Sequence, residues 1–279
     1  MAIDIQKPAP LALGDRYYYT LTSYEPVSIE VEVPLVTDAD VDMAVRSIAA
    51  ERGVTPEQMT DEWIKANLDG AESLAQVRDA VRSQLAQMNQ QLVDSSKPAK
   101  AAEELAKRLV QAVPADEVAR YREGVRQQFE MELAEEGLTR ETFLSSSGAS
   151  PASLEHMFDQ EAKTAAEQSA ALDAYAQEKK LSIDDTEIPG LLRLPPKDAA
   201  QLIDDARAHG QIEQLRQAAV RNKAAQVVTA EASCSYHHET AEEAKARIAQ
   251  YEALEQFAAA RQDAEPPAEP AAESGFKLV

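Results

Sequence analysis

The chain has 279 residues, room for one or two domains and a sizeable buried core. Its 28 Lys+Arg stand against 49 Asp+Glu, a formal charge of -21. Nucleic acid and anionic membrane surfaces are both bound through clustered basic residues, so neither is an expected partner.

Residues 1–15 carry Pro8, Pro10 and Gly14 without a clear period. Two strands are predicted next, Tyr17-Tyr-Tyr-Thr-Leu-Thr22 and Val27-Ser-Ile-Glu-Val-Glu-Val33. The second alternates apolar Val27, Ile29, Val31 and Val33 with polar residues. Ser23-Tyr-Glu-Pro26 between them fits a hairpin turn, giving a small N-terminal β-ribbon.

Helix dominates from there, as expected of a chain rich in Ala, Glu, Gln, Leu and Arg with only 9 glycines. Thr37 and Asp40 form a capping box ahead of a face made by Val41, Val45 and Ile48; Gly53 and Pro56 end that helix. A short helix is predicted around Trp63 and Ile64, with Trp63 as a packing anchor. Ser73 and Gln76 make a second box before Leu74, Val77, Val81, Leu85, Met88 and Leu92, a pattern that resumes at Leu105, Leu109 and Val113. Pro98 removes a backbone donor between the two halves and predicts a kink or a break.

Pro114 suits the first turn of the next helix, whose face is Val118, Tyr121, Val125, Phe129 and Leu133, with Gly137 as its stop. Thr139–Leu144 reads as a short helical turn and Ser145-Ser-Ser-Gly148 as a loop. A long helix starts at Pro151 with Leu154, Phe158, Ala165, Leu172 and Tyr175. Asp184 and Glu187 cap a short segment, Pro195-Pro196 interrupts, and helices follow over about 197–208 and 210–230. Thr240 and Glu243 cap a last helix with Ile248, Tyr251, Leu254 and Phe257; residues 263–279, rich in Pro, Ala and Glu, are expected to be disordered.

Sites of chemistry are sparse. Cys234-Ser-Tyr-His-His238 is the one cluster of metal-type ligands, but His156 and His209 lie far off and no second ligand pair has the right spacing, so an exposed linker is expected there. There is no Gly-x-Ser-x-Gly elbow and no phosphate-cradling Gly loop. No catalytic residue, metal site or cofactor is assigned, and no enzyme activity is expected. With one cysteine, no intrachain disulfide, no ~20-residue apolar run and no apolar leader, a cytoplasmic protein is the expectation.

Several segments carry a family resemblance. Ile29-Glu-Val-Glu-Val-Pro-Leu-Val-Thr-Asp-Ala-Asp-Val-Asp42 resembles the segment of trigger factor chaperones that leads out of their ribosome-binding domain. Met59-Thr-Asp-Glu-Trp-Ile through Ala80-Val-Arg82 resembles the segment re-entering their helical chaperone domain after a prolyl isomerase domain. Val113-Pro-Ala-Asp-Glu-Val118, Glu136-Gly-Leu-Thr-Arg-Glu-Thr-Phe-Leu144 and Leu181-Ser-Ile-Asp-Asp184 resemble the starts and turns of its arm helices. The likeness runs from about Ile29 to about Val228.

The resemblance implies a mainly α fold, an irregular helical array with projecting arms as in trigger factor C-terminal and SurA-type chaperone domains. Together with the patterning of the two ends, it divides the chain into 1–34 (N-terminal β-ribbon), 35–232 (chaperone domain), 233–262 (C-terminal extension helix) and 263–279 (disordered acidic tail). The family's Gly-Phe-Arg-x-Gly-Lys-like ribosome loop has no counterpart, and the isomerase domain would fall near Gly53–Met59, where there is no room for it. The expected function is an ATP-independent holdase for unfolded or nascent polypeptides, without isomerase activity; ribosome binding is not expected, and a homodimer is compatible. Candidate client-binding residues are Phe143, Leu144, Met157, Leu191, Leu192 and Leu194, each with a core role as its alternative. Rival readings are a helical scaffold or assembly factor for one partner, and a peptidyl-prolyl isomerase on the family label alone.

Overall fold

Capping side chains set the N-termini of six of the ten α-helices in the computed structural model, which describes residues 7–13 and 16–264. Among these residues there are ten α-helices and four short strands, a mainly α fold. The chain divides into two compact units that do not follow sequence order. Unit 1 is Met1–Val31 with Asp94–Ser235, and unit 2 is Glu32–Val93 with Tyr236–Val279.

Unit 2 is built around α1 (Asp38–Glu51), α2 (Asp61–Asn67) and the first part of α3 (Leu74–Ala106). Thr37 and Asp40 close the predicted capping box: the Thr37 N–H donates to Asp40 Oδ2 at 2.8 Å and the Asp40 N–H to Thr37 Oγ1 at 3.3 Å. Val41, Val45 and Ala49 of α1 bury against Met59, Ile64, Val77 and Val81, with Trp63 and Ile48 packed on the edge. Trp63 anchors this cluster from its border, and Ile64 beside it is fully buried.

The connection from α1 to α2 is short and self-contained. Gly53 turns the chain at φ +68°, a left-handed conformation that a Cβ would strain. A single 3-10 turn, Pro56–Gln58, follows, with the Thr55 N–H donating to Gln58 Oε1 at 2.8 Å. Arg78 and Arg82 of α3 pair with Asp42 and Asp38 of α1. Near the C-terminal end, α10 (Ala241–Ala264) buries Ala244 and Ile248. Its Arg247 donates to Asp40 Oδ1 at 2.9 Å, Glu239 Oε1 at 2.8 Å and the Leu35 carbonyl at 3.1 Å. The side chains of Leu254 and Phe257, and from residue 265 the stretch expected to be disordered, lie outside the described residues.

Unit 1 holds α4 (Ala115–Glu135), α5 (Arg140–Ser147), α6 (Pro151–Glu178), α7 (Ile188–Leu191), α8 (Ala199–Ala208) and α9 (Ile212–Glu231). Helix α6 packs against both α4 and α9. Ala162, Ala166, Ala170 and Ala174 recur every fourth residue along it and are all buried, which lets neighbouring backbones come close. A smaller cluster of Ile188, Ile203 and Ala219 joins α7, α8 and α9.

Expectations for the strands, for Pro98, for Ser145–Ser147 and for Pro114 are corrected. The two N-terminal strands do not pair with each other. Instead β1 (Leu11–Leu13) pairs antiparallel with β2 (Arg16–Tyr18), Leu11 opposite Tyr18. Ser23–Pro26 is not a hairpin turn, because the Arg108 guanidinium bonds the carbonyls of Ser23, Glu25 and Pro26 and holds the segment open. Strand β3 (Ser28–Val33) is bonded to β4 (Ser233–His238), so the predicted linker at Cys234–His238 is a strand. Val27 O accepts from the Ser233 N–H at 2.8 Å and Val33 O from the Glu239 N–H at 3.0 Å; the register advances in step, so the strands run parallel.

The second correction concerns Pro98. Helix α3 continues through it, so of the expected kink or break the break does not occur; Ala101, Ala102 and Leu105 just beyond are buried and offset the lost backbone bond. Third, Ser145–Ser147 complete α5 in place of a loop. The Ser145 and Ser146 hydroxyls donate back to the carbonyls of Thr142 and Phe143 at 2.9 and 3.1 Å, satisfying groups of the last turn. Fourth, Pro114 is the residue that caps α4, one position before its first turn.

Candidate client-binding cleft

A cleft of about 1160 Å³ opens within unit 1 between α4, α6 and α9, with β2, Tyr19 and Lys180–Ile183 completing its walls. The α4 wall comes from the predicted apolar face: Tyr121, Val125 and Phe129 line the cleft half-buried, while Leu133 further along is buried. A stripe at three- and four-residue steps is thus shared between packing and an accessible surface. From α6 come Met157, Phe158, Ala166 and Ala170, and from α9 Val220. Phe129 is braced on both sides by edge-to-face contacts, with Phe143 at 5.1 Å and Phe158 at 5.3 Å between ring centroids.

Tyrosine is concentrated here. Tyr17, Tyr18, Tyr19 and Tyr121 line the cleft, half of the chain's 8. Two have their hydroxyls tied: Tyr17 Oη donates to Asp116 Oδ2 at 3.1 Å and Tyr19 Oη to Glu117. Burial, then the Glu117 carboxylate, pushes the Tyr19 hydroxyl far up; the Asp116 carboxylate raises that of Tyr17. Both stay protonated donors at any physiological pH, and their rings present amphipathic surface.

Charge in the cleft is balanced although the chain is strongly acidic. Arg16, Arg120, Lys180, Arg216 and Arg221 are the five basic residues of the lining. Glu117, Glu132, Glu161, Asp173 and Glu213 are the five acidic ones. Two ion pairs join walls, Arg221 with Asp173 and Arg16 with Glu213. Arg221 of α9 grips Asp173 of α6, and Arg216 bonds Asp185 Oδ1 at 2.7 Å. Burial works against the Arg221 charge, but Asp173 more than offsets it and the net shift is upward. Arg216, then Arg207, holds Asp185 down to about 2.

The predicted site residues are only partly brought together. Met157 lines the cleft and is 44% exposed. Phe143 sits behind the wall, against Phe129. Leu144 is half-buried on α5 outside the lining. Leu191 and Leu192 pack on the Ile188–Ile203–Ala219 cluster, and Leu194 is half-buried in the segment after α7; none of the three lines the cleft. Sequence reasoning missed Arg16 and the three consecutive tyrosines, whose unusual aromatic density was the available signal.

Cys234, His237 and His238 do not converge. Successive residues of a strand point to opposite sides, which separates the two histidines, and His237 Nε2 lies 3.3 Å from Glu243 Oε1. Among the described residues no group of His, Cys, Asp and Glu could hold a metal ion, and no helix is long and apolar enough to cross a membrane.

Comparison with known proteins gives a family match over residues 73–230, to the model described as the C-terminus of bacterial trigger factor protein. No curated protein matches the chain. Among solved structures, the chain is similar to a hypothetical Mycoplasma protein, MPN555, at 12% identity and a TM-score of 0.38, over 78% of this chain and 90% of that one. The family match includes all of α4 to α8 and nearly all of α9, hence every helical wall of the cleft. Spanning more than half of the chain and agreeing with its mainly helical fold, that match places the protein in the trigger factor C-terminal family, with the chaperone-type role the family supports.

Proposed function

We propose that the protein is an ATP-independent holdase that binds unfolded or nascent polypeptide in the unit 1 cleft and works without isomerase activity, as a cytoplasmic chaperone. The observation that carries this reading is the cleft lining itself. It combines exposed Met157 and half-buried tyrosine, valine and phenylalanine surface with a balanced set of charges, in a space large enough for a peptide segment. Covering ~500 Å² of apolar surface yields roughly 12 kcal/mol gross at 25 cal/mol per Å². Ordering and imperfect fit consume most of it, so binding is weak, reversible and tolerant of sequence. The short α1–α2 connection, one 3-10 turn, supports a chaperone body that works without an inserted isomerase domain.

The test is light scattering of a chemically denatured client diluted into buffer. Suppression of aggregation at a few-fold molar excess is expected, and it should fall when Val125 and Val220 are both changed to Glu while the helical content stays constant. Full aggregation with the unaltered protein present would sink the reading. A protease-coupled proline-peptide assay should show no rate above background.

A further inference from the structure

Strand β2 reaches both flanks of the cleft, and its two attachments differ in kind. On the α4 side, Tyr19 and Leu21 are buried, Leu21 forms a bridge with Leu109, and the Thr22 and Val110 amides donate to the carbonyls of Arg108 and Thr20 at 2.8 and 3.0 Å. Thr20 is further held by Gln111, which accepts from its amide at 2.8 Å. These are apolar and backbone contacts, the kind that open only at a large cost.

On the α9 side the attachment is made by one side chain. Arg16 Nη2 donates to Glu213 Oε1 at 3.0 Å, with the two side chains 48% and 53% exposed. With the Gln217 amide oriented oxygen-inward, Gln217 Oε1 accepts from Arg16 Nε at 2.8 Å. Exposed ion pairs are weak and screened by salt. The strand therefore has a firm end at Tyr19–Leu21 and a weak end at Arg16; between them the Tyr17 hydroxyl donates to Asp116 of α4 at 3.1 Å, an exposed contact on the hinge side, and Tyr18 lies along the cleft.

We propose that β2 is a strap across the cleft, hinged at Tyr19–Leu21 and latched to α9 by Arg16, and that its release admits polypeptide and lets it leave. The proposal rests on the client-binding reading of the cleft. The latch sets how long a segment is held: a closed strap lays Tyr18 over it while Tyr17 stays on the α4 side with Asp116, and an open one uncovers the Val220 side of the cleft.

The experiment reads cleft access directly, apart from any client. In the full chain carrying Cys234→Ser, a reporter thiol is placed in the cleft by Val220→Cys and, in a second protein, outside it by Met131→Cys. Alkylation by a bulky charged maleimide is timed for each, with and without Arg16→Glu, and with the reversed pair Arg16→Glu plus Glu213→Arg. Arg16→Glu should speed alkylation at position 220 about five-fold, equivalent to ~1 kcal/mol at tenfold per 1.4 kcal/mol. The reversed pair should restore the slow rate to within about two-fold, and about 1 M NaCl should speed the parent but not Arg16→Glu. The rate at position 131 should not move.

Equal rates at position 220 in parent and Arg16→Glu would overturn the strap, as would equal acceleration at both reporters, which would mean general loosening. A fluorescent unfolded peptide should be released faster from Arg16→Glu than from the parent. If no protein in the set binds the peptide while position 220 still responds to the latch, the client reading fails and the strap stands.

Discussion

Arg221 of α9 and Asp173 of α6 meet side by side, Nε to Oδ1 at 2.9 Å and Nη2 to Oδ2 at 2.6 Å, in the wall of the cleft. The planar fork of arginine fits a carboxylate in this way and lysine does not. Both side chains are partly exposed, at 26% and 42%, so the pair is worth less than a buried one. Arg221→Lys should lower stability by about 1 kcal/mol, and Arg221→Ala by somewhat more because its stem also packs. Urea titrations followed by circular dichroism check the order; equal midpoints for Lys and Arg would remove the bidentate geometry as the cause.

Helix α6 ends in a left-handed residue that is not glycine. Lys180 has φ +51°, and the Leu181 and Lys180 amides donate back to the carbonyls of Ala176 and Gln177 at 2.9 and 3.1 Å. This is the double-bonded helix ending that glycine ordinarily makes. Lys180→Gly should therefore stabilise the protein, by about 1 kcal/mol, with an upward shift of the thermal midpoint as the readout. Lys180→Ala serves as the control, removing the charge without relieving the backbone, and should give no such gain.

Asp185 gives unit 1 an acid dependence of defined sign. Its carboxyl is held down to about 2 by Arg216 first and Arg207 second. A depressed carboxylate stabilises the fold above its unfolded pKa of about 3.9, and that contribution is lost as pH falls from there through about 2. Asp185→Asn should lower the thermal midpoint at neutral pH and flatten its fall between pH ~4 and pH ~2. An unchanged slope in that window would show that other carboxylates carry the dependence.

Arg247 holds α10 through three acceptors at once, Asp40, Glu239 and the Leu35 carbonyl. Asp40, and after it Glu239, holds the guanidinium charged; against the cost of burial, Arg247 and then Thr37 keep the Asp40 carboxyl low. Removing the guanidinium with Arg247→Ala should leave two acidic groups facing each other and loosen unit 2 by about 2 kcal/mol. Hydrogen exchange should then rise at Ala244–Ile248 and at the first turn of α1. Protection unchanged at both places would mean that Ala244 and Ile248 alone hold the helix.

Local signals made the helices legible. Thr37 with Asp40, Asp184 with Glu187 and Thr240 with Glu243 all cap as read, and Pro151 opens α6 after Ser150. Such signals act within one turn and need no knowledge of the rest of the fold. Strand β4 was not legible, because Ser-Cys-Ser-Tyr-His-His has no apolar alternation and takes its structure from a partner strand 206 residues away. The cleft was half legible for a related reason. Periodicity identifies the face of Tyr121, Val125 and Phe129, but not whether that face meets a neighbour or leaves a gap. The Leu191–Leu192 pair, in a Pro-punctuated apolar stretch, is half-buried against the Ile188–Ile203–Ala219 cluster and lies outside the cleft lining.

The parallel pairing of β3 with β4 has a consequence for how the molecule comes into being. Val27, Ile29 and Val31 leave the synthesis machinery well before the backbone partner of their strand, which is encoded 206 residues later. At ~5–20 residues per second, the amides and carbonyls of that strand wait roughly 10–40 s for their mates. Closing so long a loop adds little to the equilibrium cost but delays the contact in time. A chaperone of this design is, for the length of its own translation, an unfinished sheet edge in need of protection.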